Sequence, residues 1–277
     1  MSVLNAVLRA AVDGLLYPFR GLSPWVGLAV VSLLTAVPML LVFRATSNQA
    51  ALARVKKRIH AGLFEIRLFN DDLRAILRAQ LSILRANLTY VRLSLPPMLW
   101  ILPPLVLLFA QMEFHYGYRG LEVGESVLLE ATLDAAALEG AEGKPAVQLE
   151  VPDGLRVETP ALWSAAESRM SWRVAAEREG DYAVQLGFAG RQIDKTVHAG
   201  DRVVRRSPER LAPGFVNQLL YPAEPSLPGD GPFTVVSVGY PVRSLSLFGF
   251  EMPWWVAYLA LLFLVILALR NAFGVTI

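Results

Sequence analysis

The sequence predicts a helical membrane protein with three transmembrane helices, a cytoplasmic antiparallel coiled-coil hairpin and an outer β-sandwich domain. Three observations carry this. The chain of 277 residues is 54% hydrophobic and only 18% charged, too apolar for a soluble domain of this size and incompatible with disorder. Three long uncharged runs punctuate it, and basic and acidic residues segregate into different intervals between them. The absence of cysteine excludes a disulfide framework, thiolate metal sites and thiol catalysis. A formal net charge of +2 gives no case for DNA as a partner.

Residues 1–22 place Val3, Leu4, Val7, Leu8, Ala11, Leu15 and Leu16 at helical spacing, with Asn5, Arg9 and Asp13 on the other face. This predicts an amphipathic helix lying in the outer membrane interface; the alternative is a helix packed conventionally on the rest of the protein. Asp13 interrupts the apolar stretch and no small-residue cleavage site follows, so no cleavable signal is expected. Residues 24–44 contain Pro24–Phe43, 20 residues without a charge. At about 1.5 Å per residue such a helix crosses a hydrocarbon layer of about 30 Å.

Residues 45–93 read as two helices joined at Asn70-Asp71-Asp72, where an Asx turn and an acidic N-cap reverse the chain. Leu52, Val55, Ile59, Leu63 and Ile66 in the first, and Leu77, Leu81, Leu84, Leu88 and Val91 in the second, follow 3-4 spacing. They are expected to form the seam of a hairpin whose base continues into the flanking membrane helices. Residues 94–113 form the second span, a helix expected to kink at Pro96/Pro97 and Pro103/Pro104.

Residues 118–206 change texture. Short alternating runs (Ser126–Leu133, Ala146–Val151, Arg169–Val174, Tyr182–Phe188, Ile193–His198) are separated by Gly, Pro and Asp, the pattern of a sandwich. The stretch Glu179–Leu186 looks like the penultimate strand of an immunoglobulin-like domain, with Tyr182 at a tyrosine-corner position or simply in the core. Residues 207–250, rich in Pro and Gly, are expected to be an extended return with a final strand at Phe233–Val242. Residues 253–271 form the third span, opened by Trp254 and Trp255 and closed by Arg270.

Between Arg44 and Arg92 there are 10 basic and 3 acidic residues, net +7, whereas Tyr118–Glu251 carries 13 basic and 19 acidic, net −6. The positive-inside bias puts the hairpin and C-terminus in the cytoplasm and the N-terminus and β domain outside, in a bacterial inner membrane. His60, His115 and His198 fall in three separate regions and no hydrolase, zinc, phosphate-loop or dinucleotide signature is present, so neither an enzyme nor a cofactor or metal site is expected.

The order of parts, together with Arg44-Ala-Thr-Ser-Asn-Gln49, Lys56-Lys57-Arg58, Glu65–Asp72 and Leu95-Pro-Pro-Met98 through Gln111, resembles the core of the YidC/Oxa insertase superfamily. The likeness is to small three-helix members, such as archaeal YidC-like proteins and the insertase-type subunit of the ER membrane complex. It covers about residues 1–118 and 250–277. Bacterial YidC has two further membrane helices where this chain holds its β domain. The resemblance implies an insertase or insertion chaperone that passes hydrophilic flanks of nascent membrane proteins through a polar groove. Its groove residues would be Ser32, Thr35, Arg44, Gln111 and Tyr258, each of which could equally serve helix packing, or, for Arg44, head-group anchoring. Arg54, Lys56, Lys57 and Arg58 would meet a ribosome, another insertion factor or anionic lipid of the bilayer. The rival reading is a membrane-anchored scaffold or accessory subunit of a complex, binding partners through its β domain and coiled coil.

Overall fold

The computed structural model describes residues 2–69, 71–138 and 143–275. Its helices are α1 (Ser2–Leu16), α2 (Pro24–Thr46), α3 (Gln49–Leu68), α4 (Leu73–Tyr116), α5 (Phe215–Leu220) and α6 (Trp254–Leu269). Its strands are β1 (Ser126–Leu133), β2 (Gln148–Glu150), β3 (Leu155–Val157), β4 (Leu162–Ser164), β5 (Arg169–Ala176), β6 (Gly180–Phe188), β7 (Arg191–Ala199), β8 (Glu209–Leu211), β9 (Phe233–Val238), β10 (Ser244–Leu247) and β11 (Phe250–Pro253). Two compact units result: Met1–Gly27 with Leu107–Trp254, and Leu28–Val106 with Trp255–Ile277.

In the β-containing unit, one antiparallel sheet runs β3-β5-β1-β9-β8, with β4 also on β5, and another runs β2-β6-β7. A single core takes Leu129, Trp172 and Val236 from the first sheet and Val184, Leu186 and Val197 from the second. Alternation sets this up, because successive side chains leave opposite faces of a strand: in β1, Leu129, Ala131 and Leu133 are buried. β6 and β7 pair from Gly180↔Ala199 to Phe188↔Arg191. Ala189 and Gly190, both at positive φ (51° and 73°), make the two-residue turn between them. Tyr182 donates its hydroxyl to the Arg178 carbonyl at 2.7 Å, a bond back to the upstream backbone of the kind a tyrosine corner makes. Gly154 lies against that ring at φ +109°, where a Cβ would sit 2.7 Å from Tyr182 Cε1.

The interval 207–250 holds more structure than an extended return. It contains β8, the short helix α5 between Pro213 and Pro222, β9, and most of a β10–β11 hairpin that leads into α6. The apolar row of α1 is divided: Val3 and Val7 are 76% and 60% exposed, whereas Leu16 is buried together with Val12 and with Asn5, which donates to the Gln218 carbonyl.

In the helical unit, α2 and α4 are long and apolar enough to cross a membrane, and α6 is a shorter apolar helix of 16 residues. α4 runs through all four of its prolines as one 44-residue helix. At the other arm the helix breaks: α2 ends at Thr46 and Asn48 Oδ1 caps α3 by accepting from Ala51 N at 3.0 Å. Asp72 caps α4, accepting from the Arg74 and Ala75 amides; Asn70 lies outside the described residues.

The hairpin seam is not the leucine row. Leu77, Leu81, Leu84, Leu88 and Val91 are all exposed. The buried face of α4 is instead Ala79 and Ala86, with Ile83 between them half-buried. Small residues win because they let backbones approach: Gly62 of α3 is buried so close to Ile83 that a Cβ there would lie 2.6 Å from its Cγ1.

Candidate functional site

An open cleft of about 540 Å³ lies in the helical unit. Met39, Leu40 and Phe43 of α2 line one part, Leu95, Met98, Leu102 and Leu105 of α4 another, and Phe263, Ile266 and Leu267 of α6 a third. Every lining residue is apolar. Such a surface offers no chemistry, only dispersion contact with an apolar occupant, and Met39 and Met98 supply flexible side chains that adapt to irregular partners. Met98 and Phe263 are 58% and 60% exposed, so the cleft is accessible rather than a packing void.

The five residues expected in a polar groove have three different fates. Ser32 and Tyr258 are fully buried, and Ser32 Oγ points at the Tyr258 carbonyl oxygen 3.5 Å away. Thr35, one turn along, donates to the Val31 carbonyl at 2.7 Å and also meets the Tyr258 side chain. These three form a tight contact between α2 and α6. Arg44 is exposed in the last turn of α2, where its charge complements the negative end of the helix dipole.

Gln111 belongs to the other unit, where it is buried in a polar cluster. Arg205 Nη1 donates to Gln111 Oε1 at 2.7 Å and Arg205 Nε to Asp13 Oδ1 at 3.1 Å, while His115 Nε2 lies 2.8 Å from the same carboxylate oxygen. Burial pushes the Asp13 carboxyl up, but its bond to His115 and the Arg205 charge outweigh that and hold it below the usual carboxylate value. The neighbouring Arg206, fully buried, donates to the carbonyls of Tyr118, Gly200 and Arg202. Burial, aided by the nearby Arg243 charge, lowers its pKa to about 10. Within the β-containing unit, Arg205 thus ties the polar face of α1 to the end of α4, and Arg206 ties the residues after α4 to the loop after β7.

Of the basic residues singled out on α3, Arg54, Lys57 and Arg58 are exposed at i, i+3 and i+4 on one face, and Lys56 is half-buried. Sequence reasoning missed the cleft and Arg205. An unbroken apolar run gives no periodicity from which to read a cleft, and nothing local couples Arg205 to Gln111, 94 positions away. Comparison with family models, curated proteins and solved structures gives no match.

Proposed function

We propose that this chain is a membrane insertion factor of the YidC/Oxa type, which holds an apolar segment of a nascent membrane protein in the cleft of α2, α4 and α6. The single observation that carries this is the cleft itself, open and lined only by apolar side chains. In a bilayer such a surface is wetted by lipid tails, so a client helix replaces one apolar neighbour by another and association rests on packing. α6, at 16 residues and about 24 Å, is shorter than a hydrocarbon layer of about 30 Å, which favours local thinning. Thinning lowers the cost of passing a charged flank, about 2.5–3.5 kcal/mol per charge at mid-bilayer on insertion scales.

Three further features support the membrane setting. The first two turns of α1 expose Val3, Leu4 and Val7 and bury Asn5, which supports an interfacial helix with its last turns anchored by buried Val12 and Leu16. Exposed Phe215 and Val216 on α5 extend the apolar surface of the same unit. The charge bias, +7 against −6, supports a cytoplasmic hairpin and an outer β domain. The Tyr182–Arg178 bond supports an immunoglobulin-like reading of that domain.

A scaffold or accessory-subunit reading is favoured by one observation: Ser32 and Tyr258 are packed against each other and Gln111 is held by Arg205, so these residues do not line a polar groove. Photo-crosslinking residues at Met98 and Phe263 separate the two readings. Adducts with nascent membrane proteins during their synthesis are expected of an insertion factor, with none from a control at Leu128 of β1. Adducts with one stable subunit alone would replace it by the scaffold.

A further inference from the structure

Residues 81–108 of α4 are four successive heptads, LSILRAN, LTYVRLS, LPPMLWI and LPPLVLL, each beginning with leucine at the coiled-coil a position. The d positions are Leu84, Val91, Met98 and Leu105. In the last two heptads this row lines the cleft. In the first two, and at Leu77 one heptad earlier, it is bare: Leu77, Leu81, Leu84, Leu88 and Val91 are between 46% and 64% exposed. The opposite face of the same segment, with Ala79, Ile83 and Ala86 at c and f, is the one turned to α3. The leucine row is therefore a second, independent seam.

We propose that the segment from Leu77 to Val91 pairs in parallel with the same segment of a second copy of this chain. Heptad spacing demands a helical occupant of matching period, because only a supercoiled helix keeps a 3.5-residue row in contact over several turns. The flanks select which helix. The e positions are Arg78, Arg85 and Arg92 and the g positions are Gln80 and Asn87. In parallel self-pairing each g residue meets the next e residue of the second copy, so Gln80 faces Arg85 and Asn87 faces Arg92, and the amide oxygens accept from the guanidinium groups. Antiparallel self-pairing sets e against e, placing arginine opposite arginine, which like-charge repulsion opposes. Two copies inserted in one membrane with the same orientation also present α4 in parallel; that last argument alone rests on the membrane reading above.

The natural absence of cysteine makes the test clean. Leu77→Cys, Leu84→Cys and Val91→Cys, each introduced singly into the full chain in membranes, should give a homodimer-sized disulfide band on mild oxidation. Ser82→Cys, at a b position, should give at least tenfold less. Co-expressed copies carrying two different tags establish that both partners are this chain. Crosslinking at Leu84 with none at Leu77 and Val91 would overturn the parallel orientation. No dimer at any of the three, or adducts only with another protein such as an acidic helix, would overturn the second copy as occupant. The double variant Leu84→Asp/Leu88→Asp should lose the dimer on sizing in detergent while keeping the wild-type helical signal, since both leucines are exposed in the protomer. Dimerisation is read without any insertion assay, so its failure leaves the proposed function standing.

Discussion

Lys195 lies on the inward face of β7, in line with Ile193 and Val197, where alternation calls for an apolar side chain. It is completely buried, and its ammonium donates to Glu224 Oε2 and the Ser207 carbonyl, both at 2.6 Å. Burial pushes the Lys195 ammonium below its ordinary pKa despite the Glu224 charge. A buried ion pair contributes little against an apolar replacement, yet removing one partner costs about 3–5 kcal/mol. Glu224→Leu should therefore destabilise strongly in chemical denaturation, whereas Lys195→Met/Glu224→Leu should recover most of the loss. His198, nearby on β7, is bonded at 2.7 Å to Asp181 and has Tyr240, Arg206 and Glu224 around it. Burial outweighs Asp181 and holds its pKa below the ordinary 6.5. Between that depressed value and about 6.5 the unfolded chain takes up a proton that the folded chain refuses, so stability falls as pH drops below about 6.5. Melting curves at stepped pH should show this slope, and His198→Gln should reduce it; an unchanged slope would assign it to other groups.

The hairpin shows how an element can be read correctly in kind and wrongly in contact. Two rows on α4 satisfy 3-4 spacing, and hydrophobicity alone favours the leucines; closeness of approach favours the alanines opposite Gly62. Ala86→Asp should melt the hairpin, measured as lost helicity and protease resistance, while Leu81→Asp should leave both intact. The opposite result would restore the leucine seam within the chain. Length decides most of what is legible among the strands. β1, β5, β6, β7 and β9, six to nine residues each, carry enough inward and outward alternation to be read within a few residues of their ends. Of the three-residue strands, β2 falls inside the expected run Ala146–Val151, whereas β3, β4 and β8 carry too little alternation to be read. The site was less legible than the fold: Ser32, Thr35 and Tyr258 do come together, but the burial of Ser32 and Tyr258 between helices depends on packing that no local pattern encodes.

At the scale of the whole molecule, the proposed bilayer setting accounts for the exposed apolar residues of α2, α4 and α6 and for exposed Val3, Leu4 and Val7 of α1. On that proposal the charge bias gives the orientation. Asp71→Cys, at the hairpin tip, should resist an impermeant maleimide added outside intact cells, and Gln192→Cys, exposed on β7, should react; the reverse labelling would invert the topology. The most direct measurement of the central claim is insertion itself. Purified protein in liposomes should confer protease protection on a short client with one apolar segment and an acidic translocated flank. Phe263→Asp, which puts a charge into the cleft, should abolish that protection while the protein stays folded and incorporated. Equal protection with empty liposomes, or full protection by Phe263→Asp, would contradict an insertion factor working through this cleft.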